Sequence, residues 1–154
     1  MIKERQLAIA LRIAAQAHCG QVDKKGEPYI LHPIRVMLAG STMDERIVGI
    51  LHDVVEDTHI TLEDLEEEGF DDVVINGVHA LTRDPQHETY SEFIDRIIRA
   101  GRLAITVKLN DMRDNLDPKR MFYLPKEEQM RLKNKYGHEK TKLISALEAL
   151  HDVK

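Results

Sequence analysis

The sequence predicts one all-α domain of several short helices, spanning residues 1–154. Three observations lead there. Apolar residues recur at the helical period of 3.6 along nearly the whole chain, with no convincing run of the period-2 alternation that marks a half-buried strand. Glycines and prolines fall mostly between the periodic segments, where they end helices. A length of 154 residues suits one core that needs no disulfide or metal staple.

The elements follow in order. From Ile2 to Ala17, Leu7, Ala10, Leu11 and Ala14 line one stripe while Lys3, Glu4 and Arg12 can face water; Gly20 ends this helix near Cys19. Residues 20–31 hold two glycines, a proline and a charge cluster, the composition of an ordered loop. Pro33 suits the first helical position, where its missing N–H costs nothing, and a short helix through Met37 and Leu38 runs to Gly40. Ser41, Thr42 or Asp44 can cap the next helix, whose buried stripe is Ile47, Ile50, Leu51 and Val54. Thr61 caps Leu62–Glu68, with Asp64 at the capping-box spacing and Gly69 as the stop. Val73, Val74, Val78 and Leu81 mark another helix; a polar loop separates it from Tyr90–Ala100, which Gly101 closes. A helix over Leu103–Leu116 ends before Pro118, and an amphipathic stretch runs from Lys126 to Leu150 with a break expected at Gly137.

Composition narrows the function. Acidic residues number 27 and basic ones 22, a net charge of −5, so the chain carries no electrostatic footprint for nucleic acid or an anionic membrane. A small phosphorylated ligand needs only a few local cations and stays compatible. The one cysteine, Cys19, cannot form an internal disulfide, which fits a reducing, cytoplasmic setting. The N-terminal segment is broken by charges, so neither a signal peptide nor a membrane helix is expected. Oligomeric state is not legible in the sequence.

Chemistry concentrates in few places. Of the eight histidines, His59, His87, His138 and His151 stand in polar or terminal contexts, and His18 and His79 suit hydrogen-bonded core or boundary positions. His52 and Asp53 differ, because they sit beside Ile50, Leu51, Val54 and Val55, where a charged carboxylate needs a strong partner. A divalent cation is one partner; a simple His–Asp hydrogen bond, or Asp53 as a helix-end acceptor, is the other. Glu56 and Asp57 follow one turn later if the helix continues, and crowded carboxylates call for a cation or a shared proton. Both conditions serve hydrolysis. Two residues do not hold a metal. His32, after apolar Ile30 and Leu31, and Asp111, one turn after Val107, complete a set of two imidazoles and two carboxylates that leaves octahedral positions open.

The order H…HD…D resembles the signature of HD metal-dependent phosphohydrolases. The flanking words are more specific. AHCGQVDKKGEPYILHP, ILHDVVEDT, ALTR followed by Tyr90–Ser91–Glu92–Phe93, and VKLNDMRDN resemble the hydrolase domain of RelA/SpoT-type alarmone enzymes and the small alarmone hydrolases over roughly residues 5–120. The resemblance implies a single HD-domain helical bundle that removes the 3′-pyrophosphate of guanosine tetra- or pentaphosphate, giving GDP or GTP and pyrophosphate. It implies Mn²⁺ held by His32, His52, Asp53 and Asp111, and Glu56 and Asp57 as the pair that activates and orients water. It also implies Lys24 and Lys25 in the nucleotide-binding loop and Asn115 on the substrate sugar. Lys108, one turn before Asp111, can orient that carboxylate or face solvent.

The chain departs from the family pattern in two places. Lys24 stands where Arg is common, and Met112, Arg113 and Asp114 follow Asp111 where a basic residue, Leu and then His or Tyr are usual. Asp114 is thereby expected to put negative charge near the nucleotide. These departures touch base and phosphate recognition rather than the metal chemistry. Two other readings remain compatible: an HD phosphatase acting on another nucleotide, such as a nucleoside monophosphate or NADPH, and a non-catalytic nucleotide-sensing module.

Overall fold

A computed structural model describes residues 1–152. Among them the chain folds as α1 (Lys3–Ala17), α2 (Leu31–Ala39), α3 (Met43–Leu51), α4 (Val54–Asp57), α5 (Leu62–Glu67), α6 (Asp72–Leu81), α7 (Tyr90–Ala100), α8 (Arg102–Asn115), α9 (Pro118–Met121) and α10 (Lys126–Asp152). The extended pairing seen among these residues is a single bridge, Val22 with Pro28, that closes the loop between α1 and α2. The expectation of an all-α fold is met.

The central element is α3. Thr42 is its cap, chosen from the three candidates because Glu45 stands at the right spacing: the Thr42 hydroxyl accepts from the Glu45 amide while the Glu45 carboxylate accepts from the Thr42 amide. Ile47, Val48, Ile50 and Leu51 are fully buried, and α1, α2, α6 and α8 pack around them. Gly49 lets α2 come close, since a Cβ there would lie 3.2 Å from the Met37 backbone. That approach places the first turn of α2 beside the end of α3.

The second organising element is α8. Its first half buries Ala104, Ile105 and Val107, and its second half buries polar Asn110, Asp111 and Asp114. Burying three polar residues on one helix is costly unless each has a partner. The second half of the helix is therefore where polar partners have to be supplied. α10 covers α7 and α8 through Tyr136 and Leu143.

Several local expectations change. α2 begins at Leu31, so Pro33 is the third helical residue rather than the first. Its missing N–H is still harmless there, because the first-turn amides have no intrahelical partner. α3 stops at Leu51, and a turn at His52–Asp53 separates it from α4, although the Asp57 amide still bonds the Asp53 carbonyl at 3.0 Å. α10 runs through Gly137 unbroken: one internal glycine costs about 1 kcal/mol of helix propensity, which the anchors Tyr136 and Leu143 on either side offset. The short α9 was not expected; Asp117 caps it and Pro118 begins it. Asp64 does complete its capping box with Thr61.

No helix among the described residues is long and apolar enough to cross a membrane.

Gly77 tests the packing of α6 on α3. A Cβ there would stand 2.8 Å from Cγ2 of fully buried, stiff Val48. Gly77→Ala gains roughly 1 kcal/mol of helix propensity but overpacks the core at a cost of about 1–3 kcal/mol. Urea unfolding is expected to report a net loss of stability, and a net gain would contradict this packing.

Candidate active site

Four side chains from three separate stretches of the sequence meet where α2, α8 and the turn after α3 converge. His32 on α2 and Asp111 on α8 face His52 and Asp53 in the turn. His32 Nε2 lies 3.0 Å from Asp111 Oδ1 and 3.7 Å from Asp53 Oδ2. His52 Nε2 lies 3.0 Å from Asp53 Oδ2 and 3.4 Å from Asp111 Oδ1. Two nitrogens and two oxygens thus alternate around a small ring. Donors sharing one first-row divalent ion, with bonds of about 2.1 Å, are separated by about 3.0–3.4 Å at neighbouring positions. His32, His52 and Asp53 bring one donor atom each within 4.8 Å of one another, close enough to share a cation, and Asp53, Glu56 and Asp57 form an overlapping group of the same compactness.

The hydrogen bonds on the far side of each ring define which atom points inward. The His52 Nδ1–H donates to the Gly49 carbonyl at 2.6 Å, and a carbonyl can only accept. His52 Nε2 is buried and has no hydrogen-bond partner among the described residues; with the proton on Nδ1 it carries a lone pair, to which an ionised Asp53 or Asp111 has no hydrogen to donate. A buried lone pair facing two carboxylates is the arrangement a cation resolves. His32 is tied likewise, its Nδ1–H donating to Asp114 at 2.6 Å. The residues present therefore fit a divalent metal. They could equally hold protons: burial works against charge on both rings, but the surrounding Asp53, Asp111 and Asp114 carboxylates outweigh it and raise both imidazoles above their ordinary range.

Asp111 is the most constrained of the four. Its Oδ2 accepts from Lys108 Nζ at 2.8 Å and its Oδ1 from the Asn115 side-chain amide at 3.0 Å. Lys108 is thus an orienting partner, with its side chain only 12% exposed. Burial penalises its charge, and the neighbouring Asp111 carboxylate more than compensates, holding the ammonium above its ordinary range. On the other side of the ring the Tyr29 hydroxyl donates to Asp53 Oδ2.

The geometry brings Glu56 and Asp57 to the same place, although the helix is interrupted at His52–Asp53. Both line the cavity of about 200 Å³ that contains the four central side chains. Glu56 Oε1 accepts the Arg83 backbone N–H at 2.7 Å, which leaves its other oxygen available. Desolvation and the nearby Asp53 carboxylate push both acids above their ordinary range. Such acids are disposed to take up and pass on a proton.

A second cavity of about 380 Å³ adjoins the first and shares Tyr29, Asn115, Lys135 and Tyr136 with it. Lys24, Lys25, Arg120, Arg131 and Lys135 line it against two acids, Asp23 and Glu27, so this cleft suits an anion. Asn115 thus stands between the two cavities. Lys24 is exposed and paired with Glu128, which also takes Arg131; Lys25 lies over the Tyr123 ring, 4.1 Å from its centre. Neither lysine reaches the four-residue centre directly.

Sequence reasoning missed Tyr29, Arg120 and Lys135, and misjudged Asp114. Asp114 does not add bare negative charge to the nucleotide side. It is buried and bonded to His32, Arg35 and Arg120. The signal was available, since positions 111, 114 and 115 share one face of a helix. Its partners lie 82 and 79 residues away on α2, and no local pattern reveals them.

Lys108→Met removes the cation from a buried pair, for which losses of about 3–5 kcal/mol are usual. Metal-free protein is expected to lose stability of that order in thermal or urea unfolding. A change below about 1 kcal/mol would mean that Lys108 does not sustain the Asp111 charge.

Comparison with known proteins agrees with the geometry. Residues 10–112 match the HD domain family model. A guanosine-3′,5′-bis(diphosphate) 3′-pyrophosphohydrolase of Borreliella burgdorferi is 37% identical over 136 residues, covering 80% of this chain and 20% of that protein. A GTP pyrophosphokinase of Streptomyces coelicolor is 37% identical over 137 residues, covering 81% of this chain and 16% of that protein. The chain thus spans about a fifth or less of the length of these curated relatives. The solved structure of a metazoan ortholog of SpoT that hydrolyses ppGpp superimposes with a TM-score of 0.74 at 26% identity, covering 92% of this chain and 85% of that one. With two thirds of its length matched to the family model and its fold shared with that structure, the chain belongs to the HD domain family.

Proposed function

We propose that residues 1–154 form one HD hydrolase domain that removes the 3′-pyrophosphate from guanosine tetra- or pentaphosphate. The observation that carries this reading is the ring of His32, His52, Asp53 and Asp111 beside two proton-accepting acids and a cationic cleft. The relatives named for the same chemistry support the choice of substrate. In this reading the four residues are metal ligands and the ion is Mn²⁺. A divalent ion there supplies Lewis-acid stabilisation of phosphoryl charge and a lowered pKa for water.

The chain's own groups do the rest. Glu56, held at one oxygen by the Arg83 amide, takes a proton from the attacking water at its other oxygen. Asp57, desolvated beside it, orients that water and shares the proton. Water's oxygen forms a bond to the phosphorus attached to the 3′-oxygen, that P–O bond breaks, and the leaving 3′-oxygen receives a proton. The products are pyrophosphate and GDP or GTP. Lys24 and Lys25 at the cleft, with Asn115 at the junction of the cavities, hold the nucleotide. Lys135 strengthens the local field for an anion: desolvation and neighbouring Lys108, Arg131 and Arg83 all disfavour its charge, so a phosphate group relieves it. A small nucleotide, rather than nucleic acid or a membrane, is the partner, and the setting is cytoplasmic.

Turnover of guanosine tetraphosphate with Mn²⁺ is expected to release pyrophosphate and GDP, and a chelator is expected to stop it. Glu56→Gln is expected to keep the metal while kcat falls by roughly 10²–10⁴. Orthophosphate release from a different nucleotide, with no action on the alarmone, would overturn the substrate assignment. Alarmone binding without turnover would make the chain a sensing module.

A further inference from the structure

We propose that Asp114 is a positioning residue that sets His32 as a metal donor. This rests on the metal reading above. Asp114 lies on α8 one turn after Asp111, on the face turned toward α2, and is 9% exposed. Its Oδ2 accepts from His32 Nδ1 and from Arg120 Nη1, each at 2.6 Å, and its Oδ1 accepts from Arg35 Nε at 2.7 Å.

These contacts have a definite consequence. A carboxylate can only accept from Nδ1, so the proton on that nitrogen is held there and the inward Nε2 keeps its lone pair for a cation. The bond also fixes the ring plane and makes the imidazole a stronger donor. Arg35 and Arg120 supply two positive charges to one carboxylate, so Asp114 sits charged at the edge of the core without costing the site its balance. His52 reaches the same state differently, through the Gly49 carbonyl. The two imidazoles thus have unlike supports, and only His32 depends on a side chain that can be replaced.

The support also reaches the cleft. Arg120 Nη1 contacts Asn115 Oδ1 at 3.4 Å, and Arg120 Nη2 lies 3.8 Å from Asp23. Both neighbours line the cationic cavity. Asp114 therefore joins the donor His32 to the wall of the anion cleft through one guanidinium.

The test is Mn²⁺ binding to the purified chain by titration calorimetry, with metal-free thermal unfolding measured in parallel. Asp114→Asn is expected to bind Mn²⁺ about 10- to 100-fold more weakly than the parent. Arg35→Gln loses an ion pair to the same carboxylate but leaves the His32 contact, and is expected to keep the parent's affinity even where its melting temperature falls. If Asp114→Asn does not fold, Asp114→Glu retains the charge for both arginines while displacing the oxygen from His32, and the same loss is expected. Unchanged affinity in the Asp114 variants would overturn the proposal. So would an Arg35→Gln variant weakened as much as Asp114→Asn, because Asp114 would then serve the fold alone. A parent that takes up no divalent ion would instead overturn the metal reading on which the proposal stands.

Discussion

The structure depends on one electrostatic constraint: two carboxylates and two imidazoles crowd together at a place largely closed to water. Left with lone pairs facing lone pairs, such a cluster is strongly unfavourable. It becomes favourable when a positive charge sits at its centre. Lys108 neutralises one edge, on Asp111, and Tyr29 donates to the opposite edge, on Asp53. The interior of the ring is turned toward a cation by bonds on its outside, to Gly49 and Asp114. The residues that balance charge in the core are therefore the same ones to which the proposed chemistry is assigned.

The fold can be understood as the means of satisfying that constraint. α3 is apolar and central because it must hold the His52–Asp53 turn still, and its capping box fixes where it starts. Gly49 serves twice, allowing α2 to approach and offering its carbonyl to His52. α8 changes character midway, from an apolar half that locks it into the core to a polar half that delivers Asp111, Asp114 and Asn115. α10 adds Tyr136 and Lys135 to the wall shared by the two cavities. The four-residue cluster and the cationic cleft are thus neighbours by construction, with Asn115 and Tyr29 lining both cavities.

Much of this was legible because the relevant signals are local. Thr61 stands three residues before Asp64 and forms the capping box that this spacing predicts, and the same spacing, not read from the sequence, gives Thr42 with Glu45 and Thr89 with Glu92. A His–Asp pair among Ile50, Leu51 and Val54 demanded a partner whatever the fold, and Asp111 with Asn115 at helical spacing announced a shared face. What escaped was non-local or depended on interruption. The turn at His52–Asp53 has no glycine or proline to mark it, so no local signal announces the break between α3 and α4. Asp114 looked like a liability because Arg35 and Arg120, which neutralise it, sit on other elements. Lys24 was legible as a loop cation, but its pairing with Glu128 on α10 was not.

The central claim is that His32, His52, Asp53 and Asp111 share one divalent ion. A crystal structure of the Mn²⁺-loaded protein, with anomalous scattering recorded at the manganese edge, tests it most directly. The account predicts one peak about 2.0–2.3 Å from both Nε2 atoms and from one oxygen of each aspartate. A peak elsewhere, or coordination that leaves out His32 or Asp111, would contradict it.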